Sequence, residues 1–284
     1  MGCQPMNQHP IDADAFRDFE RAAHDEIAEG YRDFFTKVTG YAIEPLLDAA
    51  LVGASARVLD VATGPGVLAS RAARRGASPV VGIDLAPRMV AIAAAQYPGL
   101  DFRQGDAENL PFPDQTFDAV VSNFGIGHFP RPERAIREFA RILAPRGVVA
   151  LSWWDVPARH RLNGIFFDAV NEVQASPPPD LPTGPPMFRF SDDQELSALL
   201  RSAGLAQVAV QTHAFVHRLG SAEELWNGIL GGTVRTSIGI RRQPKEVRDR
   251  IRTTFDRLVQ AYAKDGGIEI PVAFKVASGR KVLA

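Results

Sequence analysis

The stretch Arg57-Val-Leu-Asp-Val-Ala-Thr-Gly-Pro-Gly66, followed by Val80-Val-Gly-Ile-Asp84, decides how the chain is read. Residues 58–61 are an apolar, β-branched run of the length of a buried parallel strand. Thr63-Gly-Pro-Gly66 breaks the run, and Val67-Leu-Ala-Ser-Arg-Ala-Ala-Arg-Arg75 reads as a helix that opens directly after the turn. Glycines let backbone approach a ligand closely, and a helix N-terminus offers N–H groups without partners in the helix. The second apolar run, 80–83, ends in Asp84, about 20 residues past the turn, where a ribose-binding acid belongs. The turn is not the dinucleotide fingerprint, because Gly64 and Gly66 are followed by Ala69 where that pattern needs its third glycine.

Working outward, strands are expected over about 57–62, 79–83, 100–104, 117–122 and 148–153, with helices over about 67–75, 86–96 and 132–143 between them. Pro87 suits a first helical turn, and Pro145-Arg-Gly147 is read as the stop of the third helix. Strands that alternate with helices argue for a parallel, doubly wound sheet. Upstream, Phe16, Phe19, Ala23, Ile27 and Tyr31 recur at helical spacing and predict an amphipathic N-terminal helix pair. Downstream, a helix over about 159–174 leads into a Pro-rich loop (Ser176-Pro-Pro-Pro-Asp180, Pro182-Thr-Gly-Pro-Pro186) laid over the C-terminal edge of the sheet. Ser191-Asp-Asp-Gln194 starts a helix that Gly204 ends. A strand over 206–216, helices over 222–229 and about 244–264, and a strand over 268–277 complete the pattern.

At this point the chain resembles the class I S-adenosylmethionine (SAM)-dependent methyltransferases, and within them the ubiquinone/menaquinone-biosynthesis type (type 11) that acts on small molecules. Asp60-Val-Ala-Thr-Gly-Pro-Gly66 is similar to the family's acid-x-x-x-G-x-G motif, with Ala62 where the family commonly has Gly. Residues 80–89, 104–113, 117–123 and 141–149 resemble the motifs that follow. The resemblance covers roughly 31–155 well and the rest in outline. It implies a seven-stranded Rossmann-like sheet with an N-terminal helical lid (1–50), a SAM-binding core (51–155) and a remainder (156–284) whose insertions, about 156–190 and 221–265, cap the substrate.

The implied cofactor is SAM, leaving as S-adenosylhomocysteine. Asp84 would accept from the ribose hydroxyls, and Leu85 and Met89 would floor the adenine. Asp106 would accept from the adenine amino group while the Ala107 N–H donates to the ring, with Glu108 in the same motif. Asp60, Thr63, Gly64, Gly66 and Asn123 fall at strand ends, where the methionine part belongs. Tyr31 is read either as core or, as in many relatives, as an aromatic cover over the cofactor, with His24 a weaker candidate for the same role. His128, in the loop after the fourth strand, is read either as a general base or as a loop histidine that shapes the pocket. His213 and His217 share one strand face but lack an acid partner in sequence, and no metal is expected.

Trp153, Trp154, Phe166, Phe167, Met187, Phe188, Phe190 and Trp226 gather in the insertions, and a subset could line an apolar acceptor pocket. The expected reaction is methyl transfer to a small, partly apolar or aromatic acceptor at carbon, oxygen or nitrogen. An RNA methyltransferase and a non-catalytic SAM-binding regulator remain alternatives.

Composition bounds these readings. The chain has 284 residues, 45% hydrophobic and 23% charged, enough for one large domain with an insertion. With 32 basic and 33 acidic residues the net charge is −1, so there is no global basic field and nucleic acid is not expected as a partner. Cys3 is the sole cysteine, which excludes internal disulfides and zinc–thiolate clusters. A reducing cytoplasmic setting is expected. No apolar run approaches the roughly 20 residues that span a bilayer, so membrane insertion is not expected. Residues 1–10 read as a loose leader, with Met6 where a myristoylation signal needs Ser or Thr. The sequence leaves the oligomeric state open.

Overall fold

The computed structural model describes residues 12–179 and 181–282; the expected leader lies outside them. The elements follow in order: α1 (Ala13–Gly30), a π-helical turn (Tyr31–Phe35), α2 (Thr36–Thr39), a 3-10 turn (Gly40–Ala42) and α3 (Ile43–Ala49). Then come β1 (Val58–Val61), α4 (Val67–Arg74), β2 (Val80–Asp84), α5 (Pro87–Gln96), β3 (Asp101–Gln104), β4 (Phe117–Asn123), α6 (Pro132–Ile142) and β5 (Leu143–Trp154). The last part holds α7 (Arg161–Val173), α8 (Asp193–Ser202), β6 (Leu205–Leu219), α9 (Ala222–Gly232), α10 (Arg235–Arg241), α11 (Lys245–Val259), β7 (Ala263–Lys264) and β8 (Gly267–Lys281). Among the described residues no helix is long and apolar enough to cross a membrane.

The strands form one mixed sheet in the order β3-β2-β1-β4-β5-β8-β6, with β7 paired to β8. The first five strands are parallel, and β8 runs antiparallel between β5 and β6. This is the seven-stranded Rossmann-like sheet expected, with a short eighth strand added at β7. β1 and β2 are buried at every position, as strands covered on both faces must be. Pro87 stands in the first turn of α5. Asp192 caps α8 by accepting from the Gln194 and Glu195 N–H groups, and Gly204 follows at φ +76°.

Three boundaries differ from the expectation. The N-terminal helices are nearly continuous, joined by the π and 3-10 turns. α6 stops at Ile142, before Pro145-Arg-Gly147, because the strand already begins there: Leu143 pairs with Phe117 and the register shifts before Ala119 meets Val148. The late helical region holds three helices, since α10 intervenes between the two expected.

Among the described residues, the two larger apolar clusters divide most of the interior. The larger gathers β1, β2, β4 and β5 with α3, α4, α6 and α8. The second joins Phe34, Phe35 and Val38 to α7, α9, α11 and the near end of β8. The N-terminal segment therefore supplies core to the half that carries the insertions. Its approach to α9 is close: a Cβ on Gly30 would lie 2.1 Å from the Gly231 carbonyl oxygen, a backbone atom that cannot rotate away. Gly30→Ala should therefore destabilise the fold by about 1–3 kcal/mol, outweighing the ~1 kcal/mol that Ala gains in helix propensity, as read by urea unfolding.

Candidate active site

β1, β2 and β4 end side by side, and their C-terminal loops make the site. The Thr63 N–H donates to the Ile83 carbonyl at 2.9 Å, which ties the first turn to β2. The Gly64 N–H donates to Asp84 Oδ2 at 2.8 Å, and the Ala86 N–H to Oδ1 at 2.9 Å. Burial pushes the Asp84 carboxyl up in spite of these two bonds. Each of its oxygens keeps a further lone pair for a ligand donor. Beneath the turn, Asp60 accepts from Thr63 Oγ1 at 2.6 Å and the Ala69 N–H at 3.1 Å, both at Oδ2. Its Oδ1 is buried without a partner, and burial raises its pKa to about 7.

Ala62, Gly64 and Gly66 have φ of +57°, +53° and +81°. Ala62 thus occupies a left-handed conformation that costs an L-residue roughly 1–2 kcal/mol, so its departure from the usual Gly carries strain.

A first cavity of about 770 Å³ opens over these loops. Of the residues expected to bind cofactor, Tyr31, Gly64, Asp84, Leu85, Met89, Asp106, Ala107 and Asn123 line it, as does His128. Asp60, Thr63, Gly66 and Glu108 are not in its wall. Asp60 and Thr63 support the turn from below, and Gly66 gives room to Phe102, whose ring would stand 2.8 Å from a Cβ there. Glu108 turns into an ion cluster instead: it accepts from the Arg131 N–H at 2.6 Å and Arg131 Nε at 2.7 Å. Asp106 is partly engaged too, accepting from the Glu108 N–H at 2.8 Å and pairing with Arg17 Nε at 3.0 Å. Asn123 Oδ1 accepts from Ser152 Oγ at 2.7 Å.

Tyr31 sits at the start of the π turn, a distortion frequent at functional sites. Its ring would lie 3.9 Å from a Cβ on Gly64 and stacks on Phe35 at 5.6 Å. Burial pushes its hydroxyl up to about 12, so it stays protonated.

His128 has a partner on α1. Its Nδ1 lies 3.0 Å from Glu20 Oε2, and Glu20 is only 2% exposed. His24 Nδ1 lies 2.8 Å from the Glu20 carbonyl, and the two imidazoles meet edge-on at 4.8 Å. Arg235, on α10, reaches Glu20 Oε1 at 3.3 Å and donates to the Pro185 and Gly127 carbonyls at 2.8 and 3.1 Å. Burial alone would raise the Glu20 carboxyl; the His128 ring, with His24 and Arg235, reverses that and brings it to about 2. Burial lowers the His128 pKa below 6.5, against the pull of Glu20.

Glu20 and Arg235 were not anticipated. Glu20 left a trace in the sequence, since it interrupts the buried stripe Phe16, Ala23, Ile27 at a position that shares its face. Arg235 left none.

The ligating atoms of Glu20, His24 and His128 lie within 4.8 Å of one another and could hold a metal ion, which was not expected. The Arg235 guanidinium on Glu20, with Arg17 and Arg21 in the same wall, fills the surroundings with positive charge and favours the ion pairs described. His213 stacks on Phe274 and His217 is buried near Phe34; neither lines a cavity of the site.

A second cavity, about 630 Å³, adjoins the first and shares His24, Tyr31, Phe124 and His128 with it. Ile27, Phe35, Trp153, Trp154 and Met187 make its wall largely apolar. Of the aromatic set in the insertions, Phe166 and Phe190 are core, Trp226 packs on Phe166, and Phe167 meets Phe188 edge-on. Arg241, Arg242 and Lys245 are exposed.

Comparison with known proteins bears on the fold. The family described as "Methyltransferase domain" matches residues 59–151. The demethylmenaquinone methyltransferase of Chlorobaculum parvum is 44% identical over 91 residues, 32% of this chain and 38% of that one. The chain spans less than half the length of the first curated relatives it matches. Among solved structures, the YcgJ protein of Bacillus subtilis superposes with a TM-score of 0.55 at 22% identity, covering 86% of this chain and all of that one. Phosphoethanolamine N-methyltransferase 2 of Haemonchus contortus, solved with S-adenosylhomocysteine, gives 0.57 at 18% identity over 94% of this chain and 60% of that one. Residues 59–151 of this chain therefore match a methyltransferase-domain family, within a Rossmann-like sheet of the kind seen in solved structures.

Proposed function

We propose that the protein transfers a methyl group from SAM, bound in the first cavity, to a small, partly apolar or aromatic acceptor in the second. The observation that carries this reading is that two adjoining cavities share one wall, made of His24, Tyr31, Phe124 and His128. Of the expected parts 1–50, 51–155 and 156–284, the described residues of the first act as a lid over the cofactor, those of the second hold it, and those of the third close over the acceptor. The demethylmenaquinone methyltransferases among the relatives make a quinone-related ring one acceptor of suitable chemistry.

The residues present fit the cofactor. Asp84, with lone pairs to spare beside the Gly64 turn, suits a vicinal diol. Leu85 and Met89 give an apolar floor, and the Ala107 N–H with Asp106 offers a donor and an acceptor to a nucleobase edge. Arg17 shares Asp106 with that ligand. When bound, SAM supplies an electrophilic methyl group on a sulfonium centre. The chain's task is to orient the acceptor, exclude water and hold any proton that leaves it.

His128 holds that proton. Its Nδ1–H donates to Glu20, which leaves the Nε2 lone pair free to accept from an acceptor O–H or N–H. With its pKa lowered, the ring is neutral at pH 7 and ready as a base. Glu20, at about 2, stays ionised throughout and fixes the tautomer.

Incubation with methyl-labelled SAM should give a mass gain of one methyl on a small aromatic metabolite. Binding of NAD(H) in place of SAM would refute the reading. Asp84→Ala should weaken SAM by at least about tenfold in calorimetry, since hydrogen bonds to a charged group are worth about 1.5–3 kcal/mol each. The same change should lower the melting temperature, because it also frees the Gly64 and Ala86 N–H groups.

His128→Asn should slow the chemical step at least ~100-fold with SAM affinity nearly unchanged. The sign of the pH dependence follows from the lowered pKa: the neutral base is lost only as pH falls through that value. The wild-type acid limb should therefore lie below pH 6.5, and it should vanish in His128→Asn. A retained rate with a flat wild-type profile would reduce His128 to an orienting role.

A further inference from the structure

We infer that the Asn163 carboxamide is a recognition point for a hydroxyl group on the acceptor, remote from the atom that receives the methyl group. The inference rests on the proposed acceptor role of the second cavity and adds to it the class of molecule: a hydroxylated aromatic. Asn163 stands in the first turn of α7, is 8% exposed and lines the second cavity only. Its Oδ1 is buried and has no partner. A buried carbonyl left unsatisfied costs about 1–3 kcal/mol, so folded proteins keep few of them without a use.

The surroundings sharpen the point. His160, the residue before α7, does not cap the helix; its ring stacks on Trp154 at 4.3 Å. Both of its nitrogens are also buried without a partner, and burial holds the ring neutral, with its pKa near about 3. Two neighbouring polar residues of the cavity are already committed. Arg235 donates to Glu20, Pro185 and Gly127, and Thr233 Oγ1 donates to the Ile229 carbonyl. Asn163 therefore places an unspent carboxamide in a wall of Trp153, Trp154, Ile27 and Met187.

His128 belongs to both cavities and Asn163 to one. A ligand that satisfies both carries two polar positions on a flat apolar body: one at the shared wall, one at α7. A site built to bond a hydroxyl discriminates far more strongly against an analogue that lacks it than an apolar pocket does against a missing methylene.

Equilibrium dialysis of the full chain saturated with S-adenosylhomocysteine tests this, with 2-naphthol and its methyl isostere 2-methylnaphthalene as probes. The wild type should bind 2-naphthol about tenfold or more tightly. Asn163→Leu should bind the two alike, with 2-methylnaphthalene held no more weakly than by the wild type. It should also melt no lower, because an unpartnered carboxamide has been replaced by an apolar group. Asn163→Ala should lose the preference in the same way and serves if the leucine does not fit. A preference that persists in both variants overturns the inference. Equal binding of the two probes by the wild type also overturns it, and leaves the methyl-transfer reading standing on its mass-gain assay. Binding of neither probe sinks the inference together with the acceptor role of the cavity.

Discussion

One buried carboxylate ties three separate elements of this site together. Glu20 lies on the first helix, yet its partners are His128, in the turn after β4, and Arg235, on α10. Removing a charge from water costs several kcal/mol unless it is paired and hydrogen-bonded, and Glu20 is both. The cost makes the arrangement specific: α1 has one position in which the carboxylate is satisfied, and in that position Tyr31 stands over the Gly64 turn. The first helix, the turn after β4 and the far side of the second cavity are thus registered against one another by a single side chain.

Much of the half that carries the Gly64 turn could be read directly from the chain, because its determinants are local. A four-residue apolar strand, a glycine turn and a helix follow one another without interruption, and Asp84 meets Gly64 because adjacent parallel strands end at the same edge. The alternation of strand and helix from 58 to 154 follows the expected order, and Asp192 and Gly204 bound α8 as their chemistry dictates. The place of β8 between β5 and β6 is a matter of long-range pairing, and local pattern does not carry it.

The site divides in the same way. Residues near the two motifs, such as Leu85, Met89 and Ala107, do line the cavity. Glu108 does not, because Arg131, 23 residues later in the chain, draws its carboxylate away. Ala62 shows a different gap: its identity is plain in the sequence, but its positive φ, and hence the strain it stores beside the cavity, exists only once the turn is built. Arg235 reaches Glu20 across 215 residues, a distance at which neither spacing nor periodicity speaks.

β6 and β8, each 15 residues long, run through both apolar clusters. At one end Leu205, Val276 and Ala277 sit with the cofactor half; at the other Leu219, Ile268, Ile270 and Val272 sit with α7, α9 and α11. The pair works as two girders laid across a joint. A change in the helices hung on the far span would alter the shape of the second cavity, while the near span keeps the loops of the Gly64 turn in register. The match to the methyltransferase-domain family ends at residue 151, ahead of the helices that the far span carries. The motif-bearing loops and the helices around the second cavity are in this way assigned to opposite ends of the same two strands.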